Sequence, residues 1–487
     1  MLKALMVNVL AASLIMLSLH GAAVAGSQKD EKITAAAEQK EVGVTIYNDN
    51  LALVKETRRV KLDRDFNKLA WREVSAQMLP ETAQLRNLTH PAGFRLLEQN
   101  FDFDLLTPEK LLEKYLGKEV TVIRTNPATG AETREAATVL ATNGGTVLKF
   151  GDRIETGIPG RLAFPGVPEN LRDRPTLVIS LINPVADEQH LELSYLTEGL
   201  SWRADYVAEL NERDDHLDLN GWVTLTNQSG TAYPNARLQL VAGDLNRIRQ
   251  QPSPPRNVRS FAAKMADVEE MKQESLFEYH LYTLQRPTTL AENQTKQVAL
   301  MSAIRAPVRK EFLLIGASHY YSSQHGDLGQ KLKVGVLVEF QNQGEGLGVP
   351  LPKGIVRVYK KDMQGNAQFV GEDQIDHTPA NEIVRLKLGD AFDVTGSRKQ
   401  TDFQRLGEEG RHHLVFESAY QIVLKNARKE AVTVIVREPV PGDWTMVSAS
   451  QSHTRAASGV AEWKVPVPAN GKATLTYRVR VKYPGRG

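Results

Sequence analysis

Apolar and polar residues alternate one by one along many stretches of this chain. Residues 200–210 show the pattern most clearly, with Asp205 among the polar positions. A period of two puts the apolar set on one face of a strand and the polar set in water. The alternation recurs in residues 217–225, 334–340 and 475–483. The pattern predicts an all-β fold of multidomain antiparallel β-sandwiches, with a small SH3-like barrel insertion and few short helices.

The barrel-like insertion is predicted from a short helix followed by closely spaced strands. Thr107 can cap the helix, Pro108 stands in its first turn, and Gly117 follows its end. Short strands with tight turns then continue to residue 168. A β insertion of no special class is the alternative.

Composition shifts divide the chain into segments. A cluster of Pro252, Pro254 and Pro255 marks a linker, because proline cannot occupy central strands. Helical spacing of apolar residues inside that linker leaves a partner-binding helix as the alternative. The predicted segments are a signal peptide (1–25), a mobile leader (26–40), an N-terminal β domain (41–103), the small barrel-like unit (104–168), the first part of a β-sandwich (175–245), a mobile linker (246–275), the second part of that sandwich (276–400) and a C-terminal immunoglobulin-like β-sandwich (410–487).

The N-terminus has the pattern of a secretory signal peptide. Lys3 gives a basic start, residues 4–19 are mostly apolar, and Ala23 and Ala25 frame a small-residue cleavage site. We therefore expect an exported protein, periplasmic or secreted, from which residues 1–25 are removed.

Composition excludes several classes of protein. The 60 Lys and Arg residues nearly balance the 58 Asp and Glu residues, and the formal charge of +2 gives no overall attraction to nucleic acid. No run of 18 apolar residues follows the signal peptide, so no integral membrane segment is predicted after cleavage. Because the chain has no cysteine, its stability must come from packing. The oligomeric state stays open.

Motifs for common enzyme chemistries are missing. The sequence has no G-x-S-x-G elbow, no H-E-x-x-H zinc motif and no G-x-x-x-x-G-K phosphate loop. We therefore predict no cofactor and assign no catalytic residue. A non-enzyme is favoured, although an unfamiliar active site stays open.

The densest polar cluster contains Asp373, Asp376 and His377. Carboxylates and imidazole together could bind a divalent ion or act as acid and base. In an extended segment, Asp373 and His377 share one face, and Asp376 lies on the other. We interpret the three residues as serving turn geometry and predict no metal here.

Two further features are candidates for binding. Trp222 falls on the polar face of its predicted strand, with Asn220 and Thr224. An aromatic residue there covers a neighbouring domain or binds a ligand such as a sugar ring. His319 and His325 bracket a polar loop and could ligate a metal, but their spacing matches no metal motif.

An ordered set of short motifs runs through the second half of the chain. The motifs are GLSWRADY (199–206), LNGW (219–222), NQSG (227–230), LVAGD (240–244), VRVYKKD (356–362), FVGED (369–373) and FDVTG (392–396). Over roughly residues 175–483 this set resembles bacterial envelope proteins of the mucoidy-inhibitor-like type. The resemblance implies an exported, β-rich protein with a large domain of unknown function and no assigned reaction. Longer members carry a coiled coil after the N-terminal β region, where this chain has no long heptad run.

These features predict an exported structural or interaction module of the bacterial cell envelope, with no assignable reaction. An envelope protein or a polysaccharide is the expected class of partner. The alternatives are a carboxylate-dependent hydrolase acting on envelope polymers and a carbohydrate- or peptide-binding protein. Convergent titratable groups in a pocket would favour the hydrolase, whereas a flat aromatic patch would favour binding.

We expect the mature chain to begin at or near Gly26, because a signal peptidase reads the small residues at Ala23 and Ala25. N-terminal sequencing of protein taken from the envelope fraction measures this directly. An intact Met1 on the mature protein would contradict the prediction of export.

Overall fold

The fold is all-β and built from several sheets, as the alternation predicted. Strands make up about 66% of the structure and helices about 4%. One α-helix, α1 (Pro108–Lys114), is found in the part of the chain that is described. No helix there is long and apolar enough to cross a membrane. The computed structural model describes residues 31–48, 50–168, 171–243, 272–276, 279–409 and 412–484.

Two sheets of the N-terminal half share one hydrophobic core. The strands of sheet I are β1 (Lys32–Thr34), β4 (Asp65–Arg72), β6 (Arg95–Asp102) and β12 (Thr176–Asn183), in the spatial order β1-β4-β12-β6. The strands of sheet II are β2 (Gln39–Tyr47), β3 (Leu51–Leu62), β5 (Gln84–Asn87), β13 (Asp187–Thr197), β16 (Tyr233–Ala242), β17 (Lys272–Leu276), β18 (Tyr279–Thr283) and β19 (Thr288–Leu290). Alternating apolar residues such as Val54 and Ile179 meet in this first core.

A small unit with its own core is inserted between β6 and β12, which are paired neighbours in sheet I. Helix α1 opens it, and the Thr107 hydroxyl caps the helix by accepting from the Lys110 N–H at 3.2 Å, as predicted. At its base the N–H of Arg172 donates to the carbonyl of Asp104 at 3.0 Å. The strands of its sheet III are β7 (Glu119–Thr125), β8 (Glu132–Ala141), β9 (Val147–Phe150), β10 (Arg153–Thr156) and β11 (Arg161–Ala163).

Among the described residues, sheet IV is the largest sheet, with 13 strands. Its strands are β14 (Leu200–Leu210), β15 (His216–Asn227), β20 (Gln294–Ile315), β21 (Asp327–Gln341), β22 (Gly354–Lys361), β23 (Ala367–Ile375), β24 (Ile383–Glu409), β25 (His412–Asn426), β26 (Val432–Pro439), β27 (Asp443–Ala449), β28 (Thr454–Ala457), β29 (Val460–Val467) and β30 (Gly471–Pro484). Its main path runs β23-β22-β14-β15-β20-β21-β24-β25-β30-β27, and β26 joins β20 in parallel.

Strands β20, β21 and β24 pass from the first core into a second one. Along β20, Leu300 packs in the first core and Leu314 in the second. Along β24, Leu386 packs in the first core and Val394 in the second. The second core lies around Trp463, so the two halves of the molecule are joined by continuous strands.

Beside each of the two large cores lies a buried arginine paired with a glutamate. Arg58 is 1% exposed and donates to Glu56 at 3.1 Å and to the carbonyl of Thr34 at 2.9 Å. Arg398 is equally buried and donates to Glu438 at 2.6 Å. A buried charge is tolerated only with such partners. Glu56 and Arg58 both lie on β3, so the bond to the Thr34 carbonyl links β3 to β1, whereas the Arg398–Glu438 pair links β24 to β26.

Several sheets cross the boundaries that the sequence predicted. Strand β12 from segment 175–245 pairs with β4 and β6 from segment 41–103. Likewise, the second core draws on β20, β21 and β24 as well as on residues after 410. Alternation marks a segment as a strand, but the partners of that strand depend on hydrogen bonds to segments that are distant in sequence.

The predicted leader and linker also differ from the structure where residues are described. Lys32–Thr34 of the leader form β1, because they pair with β4 and Arg58 binds the Thr34 carbonyl. The predicted linker 246–275 lies outside the described residues, except that residues 272–275 belong to β17. The predicted signal peptide also lies outside them.

We expect the small unit to be dispensable for folding of the rest, because its core is separate from the first core. Replacing residues 107–168 with a four-residue Gly-Ser linker should shift the melting temperature of the remainder by less than about 5 °C. Circular dichroism and calorimetry measure the change. Ile179→Ala, which opens a cavity in the first core, serves as the destabilised control and should cost about 2–5 kcal/mol. Loss of cooperative unfolding in the deletion variant would show that the unit supports sheet I.

Candidate functional site

A cleft between the ends of β14, β15 and β19 is too tight to enclose a ligand. Leu225, Leu290 and Lys296 are among its walls, and they leave no enclosed room for even a water molecule. Sites for organic ligands usually enclose about 300–1,000 Å³. Open surfaces of the molecule are therefore better candidates than this cleft.

The carboxylate of Asp373 accepts hydrogen bonds from two backbone N–H groups. It accepts the N–H of Gln374 at 2.9 Å and the N–H of Lys387 at 2.7 Å. The second bond ties β23, the edge strand of sheet IV, to β24. Gly371 lies beside this tie, where a Cβ atom would collide with the carbonyl of Leu388.

Asp376 and His377 have other partners. The carboxylate of Asp376 is 91% exposed and lies 3.8 Å from the ammonium of Lys353. Nδ1 of His377 accepts the N–H of Lys353 at 3.1 Å, and Nε2 lies 3.5 Å from the amide of Asn48. Asp373 and His377 therefore bind different strands and loops. No group of three or more metal-ligating side chains is present among the described residues.

Trp222 lies on the outer face of sheet IV, on the same side as Asn220 and Thr224, as the alternation predicted. Across the strands it pairs with Asp205 on β14 and with Ala299 on β20. These neighbours are shorter than an indole, and the half-buried ring keeps contact with water. In the described part of the chain its N–H has no hydrogen-bond partner.

Polar side chains surround Trp222 on this side of the sheet, which we call the Trp222 face. Two cross-strand hydrogen bonds link neighbours of the indole: Ser302 donates to Asn220 at 2.8 Å, and Gln297 donates to Thr224 at 3.2 Å. The Trp222 face comprises Arg203, Asp205, Asn220, Trp222, Thr224, Gln297, Ser302, Arg357 and Glu372.

Asp205 is the anchor of the Trp222 face. Its carboxylate accepts from Arg357 at 3.1 Å, from Arg203 at 3.1 Å and from the hydroxyl of Thr224 at 2.7 Å. Burial by itself raises the pKa of Asp205, but the hydrogen bond from Thr224 and the two guanidinium groups bring that pKa below its ordinary value. Asp205 is therefore a fixed anion and acceptor, whereas a general acid needs a raised pKa.

Arg357 connects this anchor to the sheet edge, because its Nε lies 3.2 Å from the carboxylate of Glu372. Arg203 uses its Nε for Asp205, while its side chain is 54% exposed. The sequence indicated Trp222 but missed Asp205 and Arg357 as a site. The alternation predicted that Asp205 is exposed to water. In the structure Arg357 covers Asp205, because the parallel pairing of β14 with β22 brings Arg357 alongside it.

A family model matches residues 191–485, and its description is a domain of unknown function, DUF4139. This match covers more than half of the chain. The chain belongs to the DUF4139 family. The DUF4139 match begins within β13 and includes all of sheet IV, so the whole Trp222 face lies inside it, whereas sheets I and III precede it. The predicted large domain of unknown function is thus confirmed.

No curated protein matches this DUF4139 chain. The assignment of a role therefore depends on the chemistry of its surfaces.

Asp205→Asn should destabilise the protein by about 1–3 kcal/mol at pH 7, because the guanidinium groups of Arg203 and Arg357 lose the buried anion that they contact. The pKa of Asp205 is lower in the folded protein than in the unfolded chain, where it is about 3.9. The ionised carboxylate therefore stabilises the fold above that pH, and this stabilisation is lost as the pH falls through the folded-state pKa. The difference between wild type and variant should therefore shrink below about pH 4. Urea unfolding from pH 7 to pH 3 measures it.

Glu209→Gln is the matched control for this experiment, since Glu209 lies on the same strand and pairs with Lys361 at the surface. We expect the control to change stability by less than about 1 kcal/mol. A constant gap between Asp205→Asn and wild type across the pH range would contradict the role given to the ionised carboxylate.

Proposed function

We propose that this DUF4139 protein is an exported, non-catalytic interaction module of the bacterial cell envelope, and that its Trp222 face binds envelope polysaccharide. The observation that carries the proposal is a half-buried indole set among hydrogen-bonding side chains on an open sheet face. Export is supported by the signal-peptide pattern at residues 1–25 and by the resemblance to mucoidy-inhibitor-like envelope proteins.

The chemistry of the Trp222 face suits a pyranose ring. The apolar C–H face of a sugar can stack on an indole, and an indole N–H can donate to a sugar hydroxyl. Arg203, Gln297 and Glu372 offer donors and acceptors at distances set by the strand spacing. The five strands β23, β22, β14, β15 and β20 span roughly 19 Å, which accommodates a short oligosaccharide.

Binding is favoured over hydrolysis by the state of the nearest carboxylate. A glycosidase needs one carboxylic acid that can give up a proton and a second carboxylate across the bond. Asp205 is instead held by three donors and ionised at neutral pH.

The test is binding of the purified mature chain to insoluble peptidoglycan and to immobilised neutral and acidic oligosaccharides. If Trp222 is the hot spot of the interface, Trp222→Ala should weaken binding to the retained glycan at least about tenfold, because truncating a hot-spot residue costs about 2 kcal/mol or more. The affinity of Trp222→Phe should lie between that of wild type and that of Trp222→Ala, since phenylalanine keeps a ring for stacking.

Phe392→Ala is the matched control, because Phe392 is an aromatic residue on β24 that is 96% exposed. It should bind like wild type, and the melting temperature of every variant should stay unchanged. Failure to retain any glycan, or equal binding by Trp222→Ala, would overturn the proposal. Release of soluble sugar from the polymers would instead support the hydrolase.

A further inference from the structure

A loop after β20 is held from below by two buried side chains. It includes the 3-10 turn Ser318–Tyr321 and continues to β21. The amide of Gln400 donates to the carbonyls of Tyr320 at 3.2 Å and Ser323 at 3.1 Å, and its oxygen accepts the N–H of His325 at 2.5 Å. The hydroxyl of Tyr420 also donates to the Tyr320 carbonyl, at 2.7 Å. The loop backbone is therefore fixed on the second core.

This loop brings three rings together at the surface. The ring centres of His319 and His325 are 6.0 Å apart, and Tyr320 lies 4.7 Å from His319 and 6.4 Å from His325. The ring of Tyr320 in turn covers the buried guanidinium of Arg398 at 5.2 Å. The histidines are thus adjacent because the loop is clamped, although five residues separate them in sequence.

Three of the four imidazole nitrogens of His319 and His325 have no hydrogen-bond partner among the described residues. Within the described residues, neither ring nitrogen of His319 has a hydrogen-bond partner. Nε2 of His325 contacts the hydroxyl of Ser323 at 2.9 Å, so Nδ1 is the nitrogen of His325 that can bind a ligand. A hydrogen bond on the far nitrogen is the usual device that orients a metal-ligating histidine.

The spacing of the two rings fits one bridging metal ion. A metal–nitrogen bond is about 2.0–2.1 Å long, and the nitrogen lies about 1.1 Å from the centre of its ring. The centres of two imidazole rings on one ion are therefore roughly 4.5–6.4 Å apart, for angles at the metal between about 90° and 180°. The observed 6.0 Å lies within that span. Because the described residues offer no third His, Asp or Glu here, water would fill the remaining positions.

We propose that His319 and His325 form a two-histidine site for a divalent transition metal, with Cu²⁺ bound most tightly. Imidazole nitrogen suits copper, nickel and zinc, and Cu²⁺ stands highest in the order of affinities for such ligands. The chain has no cysteine that could compete as a softer ligand. The site is independent of the Trp222 face.

The experiment titrates the untagged mature chain with Cu²⁺ and separately with Zn²⁺, using calorimetry and, for copper, electron paramagnetic resonance. We expect one site per chain, with hyperfine coupling from two nitrogens and tighter binding of Cu²⁺ than of Zn²⁺. His319→Gln and His325→Gln should each weaken Cu²⁺ binding at least about tenfold, and the double variant should remove the two-nitrogen signal.

His190→Gln is the matched control, because His190 is an exposed histidine on β13 in another sheet. It should bind Cu²⁺ like wild type, and unchanged melting temperatures confirm that all variants fold. Absence of a stoichiometric site, or copper coordination that persists in the double variant, would overturn the proposal.

Discussion

The structure depends on the continuity of three strands, β20, β21 and β24, through two hydrophobic cores. β20 spans 22 residues and β24 spans 27. Because each backbone is continuous, packing in one core limits where the strand can lie in the other, and β-bulges in the β21–β24 ladder adjust the register between the two cores. This chain has no cysteine, so the connection between its two halves depends on continuous backbone and not on disulfides.

Buried ion pairs complete the attachment of segments that the apolar cores hold only in part. Arg58 ties the short strand β1 to the first core through the carbonyl of Thr34. In the second core, Glu438 accepts from Arg398 and from the hydroxyl of Tyr321 at 3.0 Å, which anchors the 3-10 turn before β21. Removing one partner of such a pair leaves a buried charge, so these contacts permit little movement.

The two proposed sites use this rigidity in the same way. Beneath the Trp222 face, the buried Asp205 fixes side chains from β14, β15 and β22. Beneath the His319–His325 loop, buried Gln400 fixes the backbone. In each case a buried polar residue positions exposed groups before any ligand arrives, which lowers the entropy lost on binding.

The sequence by itself determined the all-β class, the strands with clear alternation and the cap of helix α1, because side-chain alternation and capping act over a few residues. It also placed Trp222 on the outer face. Only the tertiary structure decided that β12 completes sheet I, that β1 is a strand, and that Arg357 covers Asp205. It likewise brought His319 beside His325. These outcomes depend on pairings between distant strands and on buried side chains, which a local pattern does not encode.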